Sequence, residues 1–109
     1  MSIKVEVTSY LQCYYAQAEF SETALHFYGP SWEIGLFFGL LPIRGKTKEL
    51  LRINYSDIAE VRVGKNTRPL NKKDACLVKL QNGAVIELAF TPFESGRAML
   101  FEKVGACFV

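Results

Sequence analysis

The stretch ELLRINYSDIAEVRVGK, residues 49 to 65, decides how this chain is read. Leu51, Ile53 and Tyr55 alternate with Arg52 and Asn54, the period-two signature of a strand with one face in a core. Ser56 and Asp57 interrupt the run, because short polar side chains bond the local backbone and favour a turn. Val61 and Val63 then resume the alternation around Arg62. The stretch predicts strand, turn and strand, with the later chain pairing onto it and a helix closing the end. No residue in it argues for a reaction.

Downstream, NTRPLNKKD (Asn66 to Asp74) is polar, basic and broken by Pro69, so it reads as a loop. Ala75 to Phe90 reads as a hairpin. A two-residue turn at Asn82-Gly83 would set Val78 against Glu87. A three-residue loop, Gln81-Asn82-Gly83 with Gly83 left-handed, sets Leu80 against Ala84, Val78 against Ile86 and Cys76 against Leu88. The second register gathers the apolar side chains on one face and puts Lys79 and Glu87 on the other, so the three-residue loop is expected. Thr91-Pro92-Phe93-Glu94 has the form of a capping box with proline at the first helical position. It predicts a helix from Pro92 to about Val104, ended by a left-handed Gly105. Phe93, Gly96, Leu100 and Val104 form its apolar stripe, with Phe101 beside it, while Ser95 and Glu102 face water.

Upstream, Ile3 to Phe20 reads as one long strand or two short ones, Ser21-Glu22-Thr23 as a turn, and Ala24 to Tyr28 as a short strand ended by Gly29-Pro30. Ile34 to Ile43 is the most apolar stretch, about half the length of a spanning helix and interrupted by Gly35, Gly39 and Pro42. It reads as a strand buried on both faces or paired across a dimer interface. A second reading is a loop dipping into a bilayer surface, because Arg44, Lys46 and Lys48 follow at once.

The 109 residues make one domain, long enough to bury a core without metal or disulfide support. Half of them are hydrophobic, which excludes a disordered chain. A net charge of +2 is too small to imply nucleic acid or membrane binding, but its distribution is uneven. Residues 1 to 43 carry Lys4 against Glu6, Glu19, Glu22 and Glu33. Residues 44 to 73 carry nine basic residues against Glu49, Asp57 and Glu60, so the middle third is locally cationic. Cys13, Cys76 and Cys107 have no C-x-x-C spacing, and their odd count without a signal-peptide pattern points to a reducing, cytoplasmic setting. Cys13 and Cys76 lie inside strand patterns and are expected to be buried.

The order of about seven strands and one C-terminal amphipathic helix resembles pleckstrin-homology-like domains, and more closely the bacterial PH-like and GRAM-type group. The resemblance rests on Leu50-Leu51-Arg52-Ile53, the turn Tyr55-Ser56-Asp57-Ile58, Val61, the hairpin Val78 to Phe90 and the closing helix, and it covers about Ala24 to Val104. It implies a mainly β barrel of two near-orthogonal sheets with the helix plugging one open end. It fixes no ligand, since relatives bind lipids, bind peptides or serve as scaffolds. The chain departs from phosphoinositide-binding members, whose basic cluster lies between the first two strands; here Ser21-Glu22-Thr23 is acidic.

Catalytic and metal-binding patterns are lacking. Gly45-Lys46-Thr47 is no phosphate loop, because the glycine needed five positions earlier is Leu40. His26, the one histidine, has no nucleophile motif to serve, and with the cysteines makes no zinc spacing, so it reads as a strand residue with local hydrogen bonds. No cofactor is implied. The candidate contacts for an anionic ligand or membrane are Arg44, Lys46, Lys48, Arg68, Lys72 and Lys73, expected on loops. The candidate apolar contacts are Phe37, Phe38 and Trp32, the last in a loop where it covers the barrel end or anchors a partner or membrane. The reading expected is a non-enzymatic interaction or scaffolding module that self-associates as a homodimer or binds a protein partner. The alternative is peripheral recruitment to anionic lipid.

Overall fold

β1 (Ser2–Ser9) is the middle strand of a seven-stranded antiparallel sheet. The computed structural model describes residues 2–9, 12–34, 42–67 and 72–109. After β1 come β2 (Gln12–Phe20), β3 (Ala24–Ile34), β4 (Pro42–Asn54), β5 (Ile58–Lys65), β6 (Asp74–Leu80) and β7 (Val85–Thr91), and then α1 (Phe93–Val104). Their order across the sheet is β4-β3-β2-β1-β7-β6-β5. The chain is therefore mainly β, with one α-helix among the described residues. No helix among them is long and apolar enough to cross a membrane.

The period-two patterns decide which face is buried. Ile3, Val5 and Val7 stand beside Ala18, Ala16 and Tyr14 of β2, and Val5 and Val7 also beside Phe90 and Leu88 of β7. The sheet curls until residues from all seven strands meet in one cluster with Leu100 and Val104 of α1. Burying a side chain such as Phe27, Leu25 or Leu88 in that cluster stabilises the fold by about 1.5–3 kcal/mol each. The resemblance implied two sheets; the strands form one continuous hydrogen-bonded sheet that does not close, because β1 pairs on both sides and bridges the two halves.

Residues 49 to 65 take an unexpected position. Their two strands, β4 and β5, are the two edges of the sheet and do not pair with each other. Between them Tyr55–Asp57 is a tight helical turn that crosses the gap. Tyr55 N donates to Thr23 O (3.0 Å) and Tyr55 Oη to Ser21 O (2.7 Å), while Gln81 N donates to Asp57 O (2.8 Å). The turn thus ties one edge to the β2–β3 turn and the other to the β6–β7 hairpin. Partial burial pushes the Tyr55 phenol up to about 12.

The hairpin has the register argued from its apolar partners: Val78 opposite Ile86 and Cys76 opposite Leu88, with Leu80 N bonding Ala84 O and Gly83 at φ +91°. Other expectations are corrected. β3 does not stop at Gly29-Pro30 but runs to Ile34, because past Tyr28 it pairs with β4 alone and a proline's missing donor can face the open side. Thr91 does not cap the helix; it remains in β7 opposite Lys4, Pro92 takes the cap position with no side-chain bond, and Glu94 pairs with Arg97 instead. Gly105 is right-handed and leads into a further turn, Gly105–Cys107, where Val109 N bonds Val61 O. Of the helix stripe, Gly96, Leu100 and Val104 are buried, whereas Phe101 is more than half exposed and makes an edge contact with Phe108. Val63 was expected inside with Val61 but is half exposed, although Val61 on the same strand and Cys76 opposite it are fully buried. Cys76 is buried, which pushes its thiol up to about 11, but Cys13 is exposed on the outer face of the sheet.

Candidate functional site

β3 and β4 diverge from the rest of the sheet. The β2–β3 ladder runs from Phe20 opposite Leu25 to Gln17 opposite Tyr28. The β3–β4 ladder continues to Ile34 opposite Pro42, so the two strands extend as a ribbon. Two irregularities each place an extra residue in β4. One lies between the pairs Phe27–Leu51 and Tyr28–Glu49, and leaves Leu50 out of register; the other lies between Pro30–Thr47 and Trp32–Arg44. Leu50 lies over Gly29, where an added Cβ would come within 2.6 Å of Leu50 Cδ1. Leu50 Cδ1 is the end of a flexible, part-exposed side chain and the other neighbours stand at 3.5 Å or more, so a turn of the Leu50 side chain would make room for a methyl. β4 is the terminal strand of the order, so its second backbone edge meets no described strand.

The structure places three of the six candidate basic residues in a strand, while Lys72 and Lys73 remain outside any strand or helix. Arg44, Lys46 and Lys48 belong to β4, and Lys48 is exposed. Trp32 is likewise in a strand, β3, opposite Arg44. Lys72 is exposed, and Lys73 lies across the sheet's outer face, its Nζ 3.4 Å from Glu6 Oε2 and 5.7 Å from the centre of the Tyr15 ring. Lys73 therefore belongs to an internal ion pair, on a different part of the molecule from Lys48. Arg68, Phe37 and Phe38 lie outside the described residues, as do Leu36 to Leu41, on which the homodimer expectation rested.

Two polar groupings were not legible in the sequence. On the outer face, Glu6 and Glu87 are buried although their strand positions point away from the core. Thr67, just after β5, donates to Glu87 Oε1 from its amide (2.9 Å) and hydroxyl (3.1 Å), while Glu6 is met by Cys13 Sγ of β2, which donates to its Oε1 (3.6 Å), and by Lys73 Nζ. Asn66 holds the neck of the segment after β5, its amide bonding Lys73 O and its Oδ1 accepting from Lys73 N. Glu87 was expected beside Lys79 on an open face; Lys79 is exposed and Glu87 is not.

The second grouping lies at the β4 edge. His26 Nδ1 is 2.6 Å from Glu49 Oε1, and its Nε2 is 3.1 Å from Ser21 Oγ. An ionised carboxylate only accepts, so Nδ1 carries the hydrogen in the bond to Glu49. The order of groups is that of a nucleophile, base and acid. The Ser21 hydroxyl, however, already accepts from Ala24 N (3.1 Å) and lies 2.9 Å from Ala24 O. It serves the β2–β3 turn, and His26 links that turn to the edge strand. The sequence signal was only half present: His26 and Glu49 are 23 residues apart, and only the pairing of His26 with Arg52 brings them together.

Among the described residues no group of three histidine, cysteine or carboxylate side chains could hold a metal ion. The arrangement offers instead an open strand edge carrying exposed Lys48, Arg52 and Leu50, with Glu49 engaged by His26. Compared with known families, curated proteins and solved structures, the chain matches no family model, no curated protein and no solved structure.

Proposed function

We propose that this chain is a non-enzymatic interaction module of the pleckstrin-homology-like kind, and that it takes a protein partner by strand addition on β4. The observation that carries the reading is β4 itself: a terminal strand of 13 residues whose outer edge meets no described strand. A row of unpaired amides and carbonyls binds an extended peptide through main-chain hydrogen bonds, while flanking side chains choose its sequence. The opposite edge is less open, because Phe108 bridges Val61 of β5 and Val109 N bonds Val61 O. The element order, seven strands and then a helix, supports the pleckstrin-homology-like assignment.

The test is selection of linear peptides from an unbiased displayed library, followed by mapping. Selected peptides should shift the backbone amides of residues 48–54 in nitrogen-15 spectra. They should also lose binding when alternate peptide amides are N-methylated. Peptides that map elsewhere, or that bind equally well after N-methylation, would refute strand addition.

A further inference from the structure

We infer that the strand received by β4 is acidic. This rests on the strand-addition reading above and adds the chemistry of the partner. β4 brings Arg44, Lys46, Lys48 and Arg52 to one sheet edge against a single carboxylate, Glu49. Glu49 is held by His26 at 2.6 Å, whereas Lys48 and Arg52 are exposed and neither forms an ion pair with a described residue. Lys48 and Arg52 therefore present to whatever pairs with this edge a positive field that no described carboxylate offsets.

That field argues against a second copy of the same edge. Antiparallel self-pairing centred on Leu50 sets Lys48 opposite Arg52; centred on Glu49 it sets Lys46 opposite Arg52; centred on Lys48 it sets Arg44 opposite Arg52. Like charges directly opposite each other across a ladder are destabilising. Lysines on an edge strand and bulges within it are the means by which proteins keep identical edges apart, and β4 has both. The charge that repels a copy attracts a strand bearing glutamate or aspartate, and hastens its encounter. Leu50, out of register and 38% exposed, supplies an apolar contact within the same edge.

The probe is a fluorescein-labelled nine-residue peptide of alternating glutamate and valine. It is compared with a lysine–valine version and a version N-methylated at alternate amides. Polarisation at low salt should show saturable binding of the glutamate peptide alone, weakening as salt rises. The charge reversals Lys48→Glu and Arg52→Glu together should lower its affinity by at least about tenfold. Both residues are exposed, and circular dichroism checks that the fold survives. If the lysine peptide binds as well as the glutamate peptide, the acidic partner is refuted while strand addition stands. If the N-methylated acidic peptide binds undiminished, the attraction is charge alone and strand addition falls too. Sedimentation showing a dimer that binds no peptide, or no binding of any peptide to a monomer, overturns both.

Discussion

Gly96 offers the sharpest test of how α1 seats on the sheet. A Cβ built on Gly96 would stand 2.0 Å from Phe90 Cγ and 2.3 Å from Phe90 Cβ. Swinging the ring cannot relieve the second contact, because Phe90 Cβ is fixed to the β7 backbone opposite Val5. The ring is hemmed in as well, being buried with its centroid 6.1 Å from that of Phe20. Gly96→Ala must therefore push the helix away from β7. Forcing a methyl into a filled core costs about 1–3 kcal/mol, and the anchored neighbour puts this site near the upper end. Alanine recovers about 1 kcal/mol through its better helix propensity. The net expectation is a loss of about 2 kcal/mol. At roughly 4–6 °C per kcal/mol for a domain of this size, the melting temperature falls by about 10 °C. Urea unfolding followed by circular dichroism measures the loss, with Ser95→Ala on the exposed face as the control. Phe90→Ala removes Cγ and the ring, and with them the nearer contact, so the Phe90→Ala Gly96→Ala double variant should lose less than the sum of the single ones. A Gly96→Ala protein as stable as the parent would mean that α1 does not press on Phe90, and would refute this account of the helix–sheet contact.

Three further outcomes follow from other parts of the fold. Gly83→Ala meets no steric obstacle, yet its φ of +91° is strained for alanine, so denaturation should show a loss of about 1 kcal/mol. Maleimide labelling of the native protein near neutral pH should modify exposed Cys13 and spare Cys76, whose thiol is buried and pushed up to about 11; mass spectrometry should find Cys76 labelled only after unfolding. The Tyr55 phenol is raised from its ordinary 10.0 to about 12, so its contribution to stability is complete below pH 10 and is lost as pH rises through 12. Tyr55→Phe should lower stability at neutral pH by removing the bond to Ser21 O, and should flatten the fall between pH 10 and 12; a fall as steep as the parent's would assign the alkaline transition to another group.

Much of this fold is legible from local pattern. Alternation places Val5, Val7, Ile53, Val61, Val78 and Leu88 on the buried face, and the hairpin register follows from asking which loop length keeps apolar residues opposite one another. The stripe of Gly96, Leu100 and Val104 marks the helix face for the same reason: each element has a period, and one side must leave water. The capping box fails because its Thr91 is also the last residue of β7, and pairing with Lys4 prevails over a local side-chain bond.

The sequence by itself therefore determined the helix, most of the inward faces and the tight turn of the last hairpin, because these depend on neighbours a few residues away, but not the length of β3 or the strand at Arg44 to Lys48. Only the tertiary structure decided which strands became edges. Nothing in ELLRINYSDIAEVRVGK says that its two halves stand at opposite ends of one sheet, since that depends on β1 pairing with both β2 and β7. Long-range contacts likewise set His26 against Glu49, bury Glu6 and Glu87 on a face whose pattern reads as exposed, and leave β4 as the terminal strand, its outer edge meeting no described strand. A side chain's period tells which way it points. What it meets there depends on partners brought from elsewhere in the chain.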